Sequence, residues 1–319
     1  MNVRFEPLLA NDGFDPTATP EWIMIPLNGQ NHLWIVNGAG LTVVSTTPGI
    51  ASVTMSETIL PNLPTWRMIT IKGKMEGRTF IEVRQGNRPV KRLEVSVKSL
   101  IKLNICFHFV SDKDKLHSTK RTPDELGDMI LMLNQIYIPQ TNIEFQQKNY
   151  FLLNFNRNLG DSVNFNMDNQ GRPMQGHEWD LVISKRDTTA HLNVFFVWKN
   201  EHLIQDQKGK IVQSGAIGYS VGGRDILIED WNGLMDRNDD GQSDADYPPA
   251  WENARMLAHE VGHILGIDDV NKTKNIRHPI THNLQKVAVN ANYVMGSGPF
   301  IPKNHSNIMS AIAKQIAGK

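Results

Sequence analysis

The sequence predicts two domains, an all-β sandwich followed by an α+β domain, on three observations. The chain has 319 residues, long enough for two cores. Residues 21–98 alternate short apolar segments with turn dipeptides. From about Ser99 the apolar period changes, and stripes at helical spacing interleave with further strands.

Taken in order, residues 1–20 read as an extended N-terminal arm. The first domain, 21–98, has predicted strands at Trp22–Ile25, Leu33–Val36, Leu41–Ser45, Ser52–Met55, Met68–Ile71, Phe80–Val83 and Leu93–Val97. Between them fall Asn28-Gly29, Asn37-Gly38, Pro48-Gly49, Glu76-Gly77 and Gln85-Gly86-Asn87, residues that tolerate the backbone of tight turns. Strands this short and this closely spaced make a β-sandwich. In the second domain, 99–319, Leu103–Val110 is a predicted strand. Thr122-Pro123-Asp124-Glu125 is a capping box with proline at the first helical position. Behind it Leu126, Met129, Ile130, Leu133, Ile136 and Tyr137 form an apolar helical stripe. Strands are predicted at Asn142–Gln146, Asp180–Ser184, Leu192–Trp198, Ala216–Tyr219 and Asp225–Glu229. A helix opens at Pro248-Pro249, and a last one runs from about His305 to Ile316 with Ile308, Met309, Ile312 and Ile316 as its stripe.

Hydrophobic residues make up 40% of the chain and charged ones 21%, with zero formal net charge. That is ordinary globular composition without the basic patch a nucleic-acid partner requires. A single cysteine, Cys106, excludes an intrachain disulfide framework. It sits in the apolar run Ile105-Cys106-Phe107-His108-Phe109-Val110, the setting of a buried core thiol rather than a nucleophile. No apolar segment reaches membrane-spanning length. Met1-Asn2-Val3-Arg4-Phe5-Glu6-Pro7 lacks the charged-then-apolar pattern of a secretory signal, which leaves retention in the cytoplasm and non-classical export both open.

The stretch that carries chemistry is His259-Glu260-Val261-Gly262-His263-Ile264-Leu265-Gly266-Ile267-Asp268-Asp269. On a helix, residues four apart share a face, so the His259 and His263 imidazoles can converge on one metal ion. Glu260 is turned about 100° from His259. It lies beside the metal without being a ligand, where it can take a proton from an activated water as general base and return it as acid. Gly266 allows a left-handed helix end, after which the chain can turn back to present Asp269 as third ligand. Asp268 is an adjacent rival, and His278 or His282 serves if the loop runs differently. Ala254, Leu257, Val261, Ile264 and Leu265 recur at helical spacing opposite the two histidines.

This extended motif resembles the metzincin clan of zinc peptidases, and its aspartate variant is most similar to the snapalysin type. The resemblance implies a metzincin-like zincin domain, a zinc cofactor, and a methionine-containing turn beneath the metal. Met295, in Tyr293-Val294-Met295-Gly296, is the favoured methionine because it leaves room for the last helix; Met309 is the alternative, otherwise a core residue. It also implies that Gly215-Ala216-Ile217-Gly218-Tyr219-Ser220 is a sheet edge able to pair with an extended peptide, so that Ala216, Ile217, Gly218 and Tyr219 would be the substrate edge. The strand-rich first domain resembles bacterial Ig-like domains, notably in Thr42–Thr54 and Gly77–Val83, and would be an anchoring or recognition module, or a spacer.

A second metal is also written into the sequence. Asp236-Arg237-Asn238-Asp239-Asp240-Gly241-Gln242-Ser243-Asp244 places Asp236, Asn238, Asp240 and Asp244 at the early ligand positions of a calcium loop. Its twelfth position is Tyr247 instead of the usual Glu, so an acidic solvated turn is an equal reading. The expectation is a zinc-dependent endopeptidase acting on protein substrates, a candidate secreted bacterial effector. Two alternatives stay open: a non-catalytic binding or adhesion protein with a structural zinc site, and a zinc amidase acting on cell wall.

Overall fold

A computed structural model describes residues 2–9, 12–57, 62–167, 178–205, 211–215, 218–221, 223–230, 249–267 and 300–318. Its strands in the first third are β1 (Arg4–Pro7), β2 (Phe14–Asp15), β3 (Glu21–Pro26), β4 (Gln30–Val36), β5 (Thr42–Ser45), β6 (Ala51–Met55), β7 (Arg67–Gly73), β8 (Gly77–Gln85) and β9 (Arg88–Lys98). There follow β10 (Ile101–Ser111), α1 (Leu126–Thr141), β11 (Ile143–Asn154), β12 (Val163–Met167), α2 (Glu178–Ile183), β13 (Leu192–Val197), β14 (Asn200–Gln205) and β15 (Ile211–Gly215). The last elements are β16 (Gly218–Val221), β17 (Asp225–Glu229), α3 (Pro249–Ile264) and α4 (Lys303–Ala317). They fall into two units. One holds Met1–Ile101, Gln135–Glu144 and Gly266–Gln315; the other holds Lys102–Asn134, Phe145–Leu265 and Ile316–Lys319.

In the first unit two sheets, ordered β1-β4-β7-β6 and β2-β3-β9-β8-β5, enclose one apolar core. Side chains alternate across a strand, so Leu33 and Ile35 of β4 and Ile69 and Ile71 of β7 face inward from one sheet. Ile23 and Ile25 of β3, Ile81 and Val83 of β8, and Leu93 and Val95 of β9 face inward from the other. Each such burial contributes about 1.5–3 kcal/mol before chain entropy is counted. The turns follow their chemistry: Asn28 and Asn37 take left-handed φ values of 62° and 59°, which asparagine tolerates better than most residues. All seven predicted strands are present, and the all-β part of the expected fold agrees in part.

The residues read as an N-terminal arm are woven into this sandwich. β1 pairs antiparallel with β4, and β2 with β3, burying Phe5 and Phe14. Gly13, at φ +86°, lies so close to the end of α1 that a Cβ there would sit 2.3 Å from the Pro139 carbonyl oxygen. Neither that backbone oxygen nor the positive φ accommodates a side chain. Gly13→Ala is therefore expected to lower unfolding free energy by about 2 kcal/mol or more in urea titrations. An unchanged midpoint would show that this contact does not hold the arm.

β9 shows what the alternation rule misses. Its last six residues, Leu93 to Lys98, are all buried, so both faces are covered. One faces the sandwich core. Over the other lies α4, through Lys303 to Glu94 at 2.5 Å and through Lys98 to Ser306 and Ser310. The predicted apolar stripe of this helix holds in part: Met309 and Ile316 are buried as expected, but Ser306, Ser310 and Ala313 are buried too, whereas Ile308 is 45% exposed. The helix turns its serines to the polar outer face of the sheet, where they find hydrogen-bond partners.

In the second unit a five-stranded sheet runs β11-β10-β13-β17-β16, with β10, β13 and β17 parallel and β16 antiparallel at one edge. β13 is buried along its whole length, as a central parallel strand must be. Cys106 is buried in β10, and burial pushes its thiol up to about 12, leaving it inert at neutral pH. The capping box forms, with Glu125 Oε1 accepting from the Thr122 N–H at 3.1 Å. Behind it Leu126, Met129, Leu133, Ile136 and Tyr137 are buried as the stripe predicts.

The expected fold class is corrected here. Of the described residues 44% lie in strands and 24% in helices, which makes the chain mostly β and does not support a metzincin-like α+β zincin domain. Much of the difference is a separate three-stranded sheet, β12-β14-β15, over segments given no strand on sequence. Val163-Asn164-Phe165-Asn166-Met167 alternates apolar and polar residues, but its asparagines disguise the pattern as loop. Asp180–Ser184, predicted as strand, lies largely in α2. Trp179 and Val182, three residues apart, share its buried face, and a run this short does not distinguish the two periods.

Candidate metal centre

α3 packs against β16 and β17, the antiparallel edge of the five-stranded sheet. β17 is anchored at both ends. Arg186 Nη1 meets Asp225 Oδ2 at 2.8 Å, and Asp230 accepts from Thr119 Oγ1 at 2.5 Å. Burial raises both of these carboxyl pKa values, while their donors oppose the shift. The helix buries Ala254, Leu257, Ala258, Val261 and Leu265 and leaves His259 and His263 half-buried. Its amphipathic pattern thus seats it with the histidines on the other side.

His259, Glu260 and His263 come together as the helical spacing requires. One donor atom from each lies within 4.8 Å of the others. Among the described residues this is the one group of three or more His, Cys, Asp or Glu side chains able to hold a metal. The two imidazole centroids are 4.8 Å apart and their planes meet at 89°. Two imidazole nitrogens on a tetrahedral zinc are about 3.3 Å apart, from Zn–N bonds of about 2.0–2.1 Å. Two imidazoles beside a carboxylate, with donor atoms within 4.8 Å of one another, are a donor set that suits such an ion. Glu260 is only 5% exposed, an uncommon place for a carboxylate that has no work near a charge. Gly266, at φ +85°, ends the helix in the left-handed conformation expected of it.

Several expected site residues lie outside the described residues: Asp268 and Asp269 with His278 and His282, Met295, the calcium-loop positions Asp236, Asn238, Asp240 and Asp244, and Ala216 and Ile217. Gly218 and Tyr219 lie in β16, which pairs with β17 on one side and is terminal in its sheet. Met309 is fully buried in α4. A polar cluster that sequence did not single out lies in the other unit, where Lys98 is buried beside Ser306 and Ser310. Lys98 closes a strand like any flanking lysine, and only the helix covering it marks it out.

No protein-family model and no curated protein matches the chain. Among solved structures it is similar to domains 4 and 5 of the S-layer protein SbsC, with 19% identity over 30% of this chain and 53% of that one and a TM-score of 0.21. Domains 1–6 of the same protein match at 14% identity over 37% of this chain and 15% of that one, with a TM-score of 0.25. The chain thus spans about half the first structure and less of the second. Likeness this slight carries no weight for fold or activity. No helix among the described residues is long and apolar enough to cross a membrane.

Proposed function

We propose that the chain is a zinc-dependent endopeptidase. The observation that carries the reading is the convergence of the half-buried His259 and His263 and the buried Glu260 on one helix, with their donor atoms within 4.8 Å. Each imidazole would offer one nitrogen to the ion, and Asp269 would be the third ligand by its spacing in the sequence. Zinc, when bound, supplies Lewis-acid polarisation of a scissile carbonyl and acidifies a nearby water. Glu260 takes the proton from the attacking water at a carboxylate oxygen. As the carbon–nitrogen bond breaks, it passes that proton to the leaving amine.

A purely structural zinc site has no use for such a base, which favours hydrolysis over simple adhesion. Purified protein is expected to carry about one zinc per chain and to cleave unfolded casein. Both properties should be lost on EDTA treatment and regained with zinc. His263→Ala should lose metal and activity together, because two remaining ligands hold zinc poorly. Intact casein alongside digested cell wall would move the assignment to an amidase. Metal-loaded protein that cleaves neither would leave a structural site.

A further inference from the structure

We propose that a cavity in the first unit, between β8–β9 and α4, binds a small organic anion, a carboxylate carried on a short apolar body. The inference is independent of the peptidase reading. The cavity has a volume of about 270 Å³, space for a small molecule rather than a single water. Val97, Ile101 and Ala311 give it apolar walls, and Arg78, Lys98 and Lys314 bring three basic groups to it.

The charge balance points to the ligand. Glu76 is the one carboxylate lining the cavity, and it is already engaged, by Lys314 Nζ and by Ser99 Oγ at 2.7 Å. These two partners hold its carboxyl below the usual range. Arg78, exposed on the rim, has no ion-pair partner among the described residues. Lys98 is 9% exposed, and all its partners are neutral. Its ammonium donates to Ser306 O at 3.0 Å, Ser306 Oγ at 2.7 Å and Ser310 Oγ at 3.1 Å, and lies 5.5 Å from the centre of the Trp22 ring. Those partners solvate the cation without cancelling its charge. With Arg78 and Lys314 as neighbours, burial draws its pKa down to about 7. A carboxylate between Arg78 and Lys98 would supply the missing counter-charge where the local dielectric is low. Its apolar body would lie against Val97, Ile101 and Ala311.

Benzoate, a carboxylate on a small apolar ring, is the probe, and its neutral isostere benzamide is the control. Calorimetric titration of the full-length chain is expected to give saturable benzoate binding at one site, with benzamide weaker by about ten-fold or more. Inorganic phosphate, lacking the apolar body, should bind more weakly than benzoate. Arg78→Gln and Lys98→Met should each weaken benzoate by about five- to ten-fold. If Lys98→Met fails to fold, the exposed Arg78→Gln still decides the matter. The proposal is overturned if benzoate does not bind up to about 50 mM. It is equally overturned if benzamide or phosphate binds as well as benzoate, or if Arg78→Gln binds like the wild type.

Discussion

Glu260→Gln is expected to cut turnover of a protein substrate by about 10³-fold, roughly 4 kcal/mol of transition-state stabilisation, with zinc content unchanged. Glutamine keeps the volume of a side chain that is only 5% exposed, so the helix packing should survive. What it removes is the ability to accept a proton. The companion change His263→Ala acts on the other half of the site by taking away a ligand. The pair of variants therefore separates proton transfer from metal binding: one keeps the ion without activity, and the other loses both. Proteolysis that persists in Glu260→Gln would remove this residue from the mechanism. Loss of zinc in the same variant would make Glu260 a ligand instead of a base.

Lys98→Met is expected to flatten the rise of stability with pH between about 7 and 10. In the unfolded chain Lys98 keeps its proton up to the ordinary lysine range near 10.5, whereas in the folded protein burial brings the loss down to about 7. Within that window the unfolded state binds more protons, so folding becomes more favourable as pH rises. Below about 7 both states are protonated and the contribution sits at its minimum; above the unfolded value both are neutral and it sits at its maximum. The full excursion is on the order of 4 kcal/mol. Methionine occupies similar space with no charge, so the variant should gain most over the wild type at pH 6–7 and lose that advantage by pH 10. Urea midpoints measured at unit pH steps would show this, and parallel profiles for the two proteins would contradict it.

Legibility in the sequence varied with the range of the interactions involved. The seven strands of the sandwich were readable because each buries one face, which writes a period of two into residues such as Leu33 and Ile35. The capped helix behind Thr122 was readable because capping is local chemistry. β12 and β14 were not, since asparagine and charge obscure their alternation, and β15, Ile211-Val212-Gln213-Ser214-Gly215, is too short and polar to show one. α2 was mistaken for strand because a short apolar run fits either period. The resulting excess of strand is what removes the α+β metzincin-like class.

The grouping of His259, Glu260 and His263 was determined by sequence alone, because four residues of α-helix bring two side chains to one face whatever surrounds them. The left-handed end at Gly266 belongs with it, since that conformation is a property of the residue itself. Which face of α4 is buried, how Phe5 and Phe14 join the sandwich, and that Lys98 becomes a buried cation were decided only in three dimensions. Those outcomes depend on segments far apart in the chain meeting at a surface. Burial and the proton affinity that follows from it are properties of that meeting, which no local pattern of residues encodes.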